Sequence, residues 1–226
     1  MTLVYPDLPR VYNTPMIAST TTVKQAASHL AAHDPVLAPI IKRIGPCTIR
    51  PHKNYYQELV ESIISQQLSV KAGAAIVRRF LELFNGSFPA PEAILRKDVE
   101  ELRTAGLSRA KAIYIRDLAG HVVDGQIRFD HLDNLSNDAV IRELIPVKGI
   151  GEWTAHMFLM FCMGRLDVLA HGDLGVKNGI QKLYGLNHQP SPLEVQTIAT
   201  TNNWHPYESA ACWYIWKSLD NEPTIL

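Results

Sequence analysis

The sequence is poor in cysteine, and its three cysteines are far apart. Cys47, Cys162 and Cys212 are too few and too widely spaced for a disulfide framework, a zinc pattern or a four-cysteine iron–sulfur pattern. Cys162 and Cys212 lie in apolar runs, where cysteine is usually a small core residue. We therefore expect a reduced, intracellular protein.

Long apolar runs are also missing. No stretch approaches the 18 apolar residues of a membrane-spanning helix, and the N-terminus lacks the basic-then-apolar pattern of a secretory signal. We expect neither a membrane span nor secretion.

The chain has no excess of charge of either sign. Its 22 basic and 22 acidic residues give a net charge of zero. This balance counts against a protein that coats nucleic acid by bulk charge, although a local basic face stays compatible with it. A hydrophobic content of 46% and a charged content of 19% are typical of a globular chain.

Strand-like alternation is absent over any useful length, whereas apolar residues recur at helical spacing through most of the chain. This pattern predicts an all-α fold with about nine or ten helices. Residues 1–20, rich in proline and threonine, indicate a loose N-terminal arm, and residues 21–226 form the helical domain. The predicted helices include 22–41, two helices within 55–84 interrupted by "SQQLS" at 65–69, 109–124, 137–145, 152–163 and one starting at Leu174.

The stretch "VKGIGEW" at 147–153 places two glycines between two predicted helices. One interpretation is a tight turn in which Gly149 and Gly151 supply dihedral angles that other residues avoid. The other interpretation is a phosphate site, because backbone N–H groups at a helix N-terminus attract anions and Lys148 adds a charge beside them. Such a hairpin grips a nucleic-acid backbone without reading its sequence.

Several longer motifs carry a resemblance to a known family. "LIPVKGIGEWTAHMFLMF" and "DVLAHGDLGVKNGIQKLYG" resemble the helix-hairpin-helix DNA glycosylases, specifically the DNA-3-methyladenine glycosylase II branch. The resemblance extends to "ESIISQQLSVKAGAAIVRRF", "LRTAGLSRAKAIYIRDLA" and "WHPYESAACWYIWKSL", and covers about residues 55–219. It implies two helical lobes with a cleft between them and a DNA-binding helix-hairpin-helix at about 137–164.

The resemblance assigns the catalytic carboxylate to Asp173, which follows the hairpin by about two dozen residues. A carboxylate there would stabilise the oxocarbenium character that develops when an N-glycosidic bond breaks. Aspartate is also a good N-cap for the following helix, and the two roles can be combined. Asp167 is the nearest rival, but it does not match the motif position.

Position 153 bears on the type of reaction. Relatives that also cut the DNA backbone carry a nucleophilic lysine there, whereas this chain has Trp153, which cannot form a Schiff base. The resemblance therefore implies a monofunctional glycosylase of base excision repair that removes alkylated bases and leaves an abasic site.

A base inside a duplex must be flipped out before its glycosidic bond can be reached. The resemblance places Trp153 and Trp216 as aromatic walls for a flipped cationic base, with Met157 as a softer neighbour. Core packing is the alternative for both tryptophans. Gln67, with Leu68 beside it and Ser69 towards the minor groove, matches the plug that fills the gap in the DNA, although an exposed helix end would also explain this stretch.

The family also binds a monovalent cation at the hairpin through backbone carbonyls. The matching carbonyls belong to Ile145, Val147 and Ile150, and the ion would be Na⁺ or K⁺. No other cofactor is implied. Two departures put the electrostatics of the cleft in doubt: many relatives have proline at the position of Ala170 and arginine at the position of Glu208.

The implied partner is double-stranded DNA with alkylated bases, of the 3-methyladenine and 7-methylguanine type. We expect a monomer, away from membranes, in the bacterial cytoplasm near the nucleoid or in the nucleus of a eukaryote. A non-catalytic DNA-binding module that uses only the hairpin is the main alternative, and a helical scaffold with a glycine turn is another. Neither alternative explains Asp173 together with the pocket aromatics.

Overall fold

The computed structural model describes residues 15–219, and this part of the chain is helical throughout, with a single isolated β-bridge and no strands. The all-α prediction is confirmed. The described residues form twelve α-helices, a 3₁₀ turn at Leu132–Asn134 and a π-helical turn at Phe158–Cys162. The α-helices are α1 Thr20–His33, α2 Ala38–Ile44, α3 Tyr55–Ser65, α4 Val70–Glu82, α5 Pro91–Leu95, α6 Val99–Arg103, α7 Arg109–Val123, α8 Asn137–Leu144, α9 Glu152–Met157, α10 Leu174–Leu183, α11 Pro192–Thr201 and α12 Glu208–Ser218.

Serine side chains set the start of several helices. A serine N-cap accepts a hydrogen bond from a backbone N–H of the first turn, which would otherwise have no partner. The caps of this kind precede α1, α4, α7, α8 and α11: Ser19, Ser69, Ser108, Ser136 and Ser191. The interruption predicted at 65–69 is confirmed, since α3 ends at Ser65 and α4 begins after Ser69.

The helices pack in two groups. The terminal lobe consists of α1, α2, α10 and α12, with α12 in contact with the other three. The central lobe consists of α3 to α7, in which α7 contacts α3, α5 and α6. The hairpin helices α8 and α9 pack on each other, and the π-helical turn after α9 contacts α3. Buried side chains of both lobes form one continuous apolar core.

The first described residues pair with the segment that follows the π-helical turn. The backbone N–H of Ala18 donates to Gly164 O at 2.7 Å, and that of Leu166 donates to Met16 O at 2.7 Å. Residues 1–14 of the predicted N-terminal arm lie outside the described residues, so the division at residue 20 stays a prediction.

None of the helices within residues 15–219 is long and apolar enough to cross a membrane. The three cysteines are unpaired and buried, as the apolar surroundings of Cys162 and Cys212 predicted.

The prediction of a single helix over 22–41 is wrong. The chain turns at Asp34, which separates α1 from α2. Asp34 is fully buried, and its carboxylate accepts hydrogen bonds from the backbone N–H groups of Val36 and Leu37 at 2.9 and 3.0 Å. It also accepts from the hydroxyl of Tyr184 and, at 2.7 Å, from the indole of Trp204. One carboxylate therefore ties the α1–α2 turn to the end of α10 and the segment before α12.

Replacing Asp34 by alanine should destabilise the protein by about 3 kcal/mol or more, because two buried and two partly buried donors lose their acceptor at once. Urea titration followed by circular dichroism measures this loss. Asp98→Ala is the matched control: Asp98 is an exposed N-cap of α6, and its removal should cost about 1 kcal/mol. Equal losses for the two variants would contradict the role given to Asp34.

Candidate active site

The hairpin requires its first glycine. Gly149 has φ of +84°, and a β-carbon there would lie 2.2 Å from the ring of Tyr114 on α7. Gly151 has an extended backbone with open space beside it and is the N-cap of α9. The two glycines therefore differ: Gly149 permits the turn and its packing on α7, and Gly151 leaves the start of α9 open to the outside.

Lys148 is exposed and paired within the protein. Its ammonium lies 2.9 Å from Asp117 Oδ1, and its backbone N–H donates to Asp117 Oδ2 at 2.9 Å. Burial would raise the pKa of Asp117, but the hydrogen bonds from Lys148 hold that pKa below its usual value. An exposed ion pair of this kind is worth about 0–1 kcal/mol in water, so a phosphate can compete with Asp117 for the ammonium.

The three carbonyls predicted for a monovalent cation lie in the same turn. Val147 O already accepts the N–H of Ile150 at 3.0 Å. No cluster of histidine, cysteine, aspartate and glutamate suited to a metal occurs within residues 15–219. The cation site of Ile145, Val147 and Ile150 stays a prediction.

The predicted plug is a short turn between α3 and α4. Gln67 is exposed with φ of +59°, Leu68 is half-buried, and Ser69 caps α4 through its hydroxyl. The left-handed backbone at Gln67 is uncommon for a residue other than glycine and directs this side chain away from the helical path.

Two contacts hold this turn in place. The ammonium of Lys111, on α7, donates to Ile64 O at 2.7 Å and to Gln66 O at 2.6 Å, at the end of α3. Gln66 Nε2 donates to Gly149 O at 2.8 Å. Burial lowers the pKa of Lys111. The plug turn, the hairpin and α7 are thus joined by a chain of hydrogen bonds.

Asp173 is the N-cap of α10, as predicted. Its Oδ1 accepts from the backbone N–H of Val176 at 2.7 Å. The same oxygen accepts from the indole of Trp216 at 2.7 Å, and Oδ2 accepts from the indole of Trp153 at 2.7 Å. With only 8% of Asp173 exposed, these donors replace most of the water around the carboxylate.

The two tryptophans occupy different depths. Trp216 is 4% exposed and packs on Phe161 with ring centroids 5.7 Å apart, whereas Trp153 is 44% exposed. A β-carbon at Gly175 would lie 2.9 Å from the Trp216 ring, so glycine at this position lets the indole reach Asp173. Trp216 therefore forms the closed end of the site and Trp153 its open side.

These groups line one cavity of about 620 Å³ between the lobes. It brings together six of the predicted site residues: Asp173, Trp153, Trp216, Met157, Gln67 and Leu68. The hairpin residues and Ser69 lie outside its lining. Its remaining lining residues are Glu58, Leu59, Ser62, Ser65, Gln66, Thr154, Phe158, Phe161, Cys162 and Gly175.

Sequence reasoning missed the α3 wall of this cavity. Glu58, Ser62 and Gln66 follow one another at four-residue spacing, which places them on one helix face, and that spacing was available in the sequence. Phe161 likewise follows Trp153 and Met157 at steps of four. Lys111 had no such local signal.

The two departures from the family pattern lie away from the cavity lining. Ala170 is fully buried, and its carbonyl accepts the N–H of Asp173 at 3.0 Å, which fixes the loop without a proline. Glu208 Oε1 lies 2.9 Å from His205 Nδ1. Burial raises the pKa of the neighbouring Asp167, and the charge of Glu208 adds to this rise.

The site combines an ordered carboxylate, two indole faces and an enclosed space. The carboxylate can stabilise a positive charge that develops next to it, and the aromatic faces can stack on a planar cationic ring. The plug turn with Gln67 and Leu68 lies at the edge of the cavity, where it can fill the position from which such a ring has moved.

Comparison with known proteins identifies this arrangement. Residues 60–203 match the model of the HhH-GPD superfamily of base excision DNA repair proteins. DNA-3-methyladenine glycosylase 1 of Schizosaccharomyces pombe is 34% identical over 88% of this chain and 88% of its own length. The alkylbase DNA glycosidase-like protein mag2 of the same yeast is 32% identical over 86% of this chain and 92% of its own.

Solved structures agree. The DNA-3-methyladenine glycosidase of Bacillus halodurans has a TM-score of 0.76 and 39% identity, covering 85% of this chain and 88% of that one. The S. pombe 3-methyladenine DNA glycosylase in complex with abasic DNA has a TM-score of 0.75 and 34% identity, covering 87% of this chain and 97% of that one.

Replacing Lys111 by methionine should lower the free energy of unfolding by about 1–3 kcal/mol, since two partly buried carbonyls lose their donor while the apolar stem is kept. Guanidinium titration measures the change. Lys182→Met, at an exposed position of α10, is the control and should stay within about 0.5 kcal/mol of wild type. A Lys111→Met variant as stable as this control would contradict the assigned contacts.

Proposed function

The chain belongs to the HhH-GPD superfamily of base excision DNA repair proteins, and from this premise we propose that it is a monofunctional DNA glycosylase for alkylated bases. It flips an alkylated base out of double-stranded DNA, hydrolyses the N-glycosidic bond and leaves an abasic site. The described helices act as one glycosylase unit, within the predicted domain 21–226.

The observation that carries this proposal is the position of Asp173. Its carboxylate is held by two indole N–H groups and a helix N-terminus, and it lines a cavity of about 620 Å³. A buried carboxylate that served only as a helix cap would not need to face an open cavity between two aromatic side chains.

Base flipping assigns the outer parts of the site. The extruded base enters the cavity and stacks on Trp153 and Trp216, while Gln67 and Leu68 fill the gap in the DNA stack. The half-exposed Trp153 and the exposed Gln67 lie where an incoming strand can reach them.

Bond cleavage depends on charge. As the glycosidic bond lengthens, C1′ of the sugar gains oxocarbenium character, which the Asp173 carboxylate stabilises and which water then attacks. An alkylated purine of the 3-methyladenine or 7-methylguanine type already carries a positive charge. It leaves without a strong general acid, so one carboxylate is sufficient.

The cavity lining, drawn from residues 15–219, contains no lysine. Without an amine beside C1′, no Schiff base with the sugar can form, and the DNA backbone stays intact after base release. This supports the absence of lyase activity.

The hairpin supplies the grip on DNA. The open N-terminus of α9 at Gly151 and the ammonium of Lys148 are suited to phosphate oxygens. A monovalent cation on the carbonyls of Ile145, Val147 and Ile150 would strengthen this anion site. The protein acts as a monomer in this proposal, because one chain provides the complete site.

Asp173→Asn should lower base release from methylated duplex DNA by about 10²- to 10³-fold, because the carboxylate charge near C1′ is lost. Chromatography of released bases measures the rate, and fluorescence anisotropy measures DNA binding, which should be retained. Asp98→Asn, a cap far from the cavity, should release bases as wild type does. Wild-type protein that binds DNA and releases no base would favour a non-catalytic binding module.

Wild-type protein should leave the DNA backbone intact until alkali is added, and borohydride should trap no covalent protein–DNA adduct. Denaturing gels of end-labelled DNA and of the protein test both points. Strand cleavage before alkali treatment, or a trapped adduct, would refute the argument from Trp153 and the lysine-free lining.

A further inference from the structure

The α3 wall of the cavity carries polar side chains that lie apart from Asp173 in the sequence. Glu58 and Ser62 lie one helical turn apart on α3, and Ser65 follows them; all three line the cavity. The function proposed above uses none of them. Their side chains are therefore available to a base that occupies the cavity.

Glu58 is oriented but not saturated. Its Oε1 lies 2.9 Å from His52 Nδ1, whereas Oε2 receives no hydrogen bond from any residue of the described chain. The Glu58 side chain is 22% exposed, so the carboxylate is partly removed from water. Burial raises the pKa of Glu58, and the contact with His52 opposes this rise.

Ser62 is an unpaired donor on the same face. Only 5% of the residue is exposed, and its Oγ has no hydrogen-bond partner within residues 15–219. A buried hydroxyl without a partner is destabilising unless some state of the protein provides one. Because Ser62 lines the cavity, a base bound there is the nearest candidate for that partner.

The charge of the lining has one sign. Glu58 and Asp173 are the charged side chains among the lining residues, and both are acidic. In the part of the chain that the structure describes, a lining with two carboxylates and no lysine or arginine favours a positively charged occupant over a neutral one.

We propose that Glu58, supported by the Ser62 hydroxyl, is a specificity-determining residue that selects cationic N-alkylated purines carrying N–H donors on their edge. Glu58 Oε2 accepts a hydrogen bond from such a donor, and its charge attracts the ring. A neutral base without an N–H donor leaves the carboxylate desolvated and unpaired, which weakens binding. This inference rests on the proposed glycosylase function and adds the class of base.

The test compares two duplexes that differ in one base. One carries 7-methylguanine, which is cationic and has N–H donors, and the other carries 1,N⁶-ethenoadenine, which is neutral and has none. Single-turnover rate constants are measured for wild type and for Glu58→Gln, and the preference is the ratio of the two constants. Glu58→Gln should lower this preference by about tenfold or more, because the carboxylate charge is lost while the side-chain size is kept.

Two further variants separate specificity from stability. Glu61→Gln is the matched control, since Glu61 lies on α3, bonds Gln57 at 2.7 Å and is outside the lining. It should leave the preference unchanged. Ser62→Ala should also lower the preference. If thermal denaturation shows that Glu58→Gln is not folded, Ser62→Ala provides the test in its place.

Each outcome decides one claim. A wild-type preference that both cavity variants leave unchanged, even if they slow both substrates equally, overturns the specificity inference and leaves the glycosylase function standing. A wild type that releases neither base overturns the proposed function, and the inference falls with it. A reduced preference in the cavity variants and an unchanged one in Glu61→Gln support the inference.

Discussion

Burying a carboxylate is costly unless hydrogen-bond donors replace the water around it, and this constraint organises the cavity around Asp173. Three donors come from three parts of the chain: the indole of Trp153 after the hairpin, the first turn of α10, and the indole of Trp216 on α12. The tryptophans thus orient the carboxylate as well as forming the walls. In the proposed function, displacing either indole would disturb the carboxylate and the surface on which the base stacks together.

A few hydrogen bonds and one close packing contact likewise join the plug turn, the hairpin and α7. Lys111 holds the end of α3, Gln66 reaches from there to Gly149, and Gly149 packs on Tyr114 of α7, the helix that carries Lys111. Each of these three parts, the plug turn, the hairpin and α7, therefore contacts the other two. Because the hairpin and the plug turn are fixed to each other, a hairpin that binds the phosphate backbone, as proposed, would also set the position from which the plug enters the stack.

Local sequence signals predicted many of the helices and several residues of the cavity. Contacts between residues far apart in the sequence could not be predicted. Helical spacing and caps gave most of the long helices, but the five-residue helices α5 and α6 are too short to show a period. Asp173 and both tryptophans followed from motif positions. The split at Asp34 had a local signal, because a capping aspartate is followed there by Pro35, which disfavours a continuous helix. The ties from Asp34 to Tyr184 and Trp204, 150 and 170 residues away along the chain, and the anchoring of the plug by Lys111 are non-local. Such partners leave no trace in local patterns.

Charges of opposite sign are concentrated on different surfaces of the protein. The net charge is zero, yet the cavity lining is acidic, while the hairpin keeps an exposed ammonium at Lys148. An acidic interior would repel the DNA backbone but attract a cationic base, and the separation of the two surfaces lets each act on its own part of the substrate. In the proposed function, an undamaged, uncharged base would therefore gain little by leaving the stack to enter this acidic cavity.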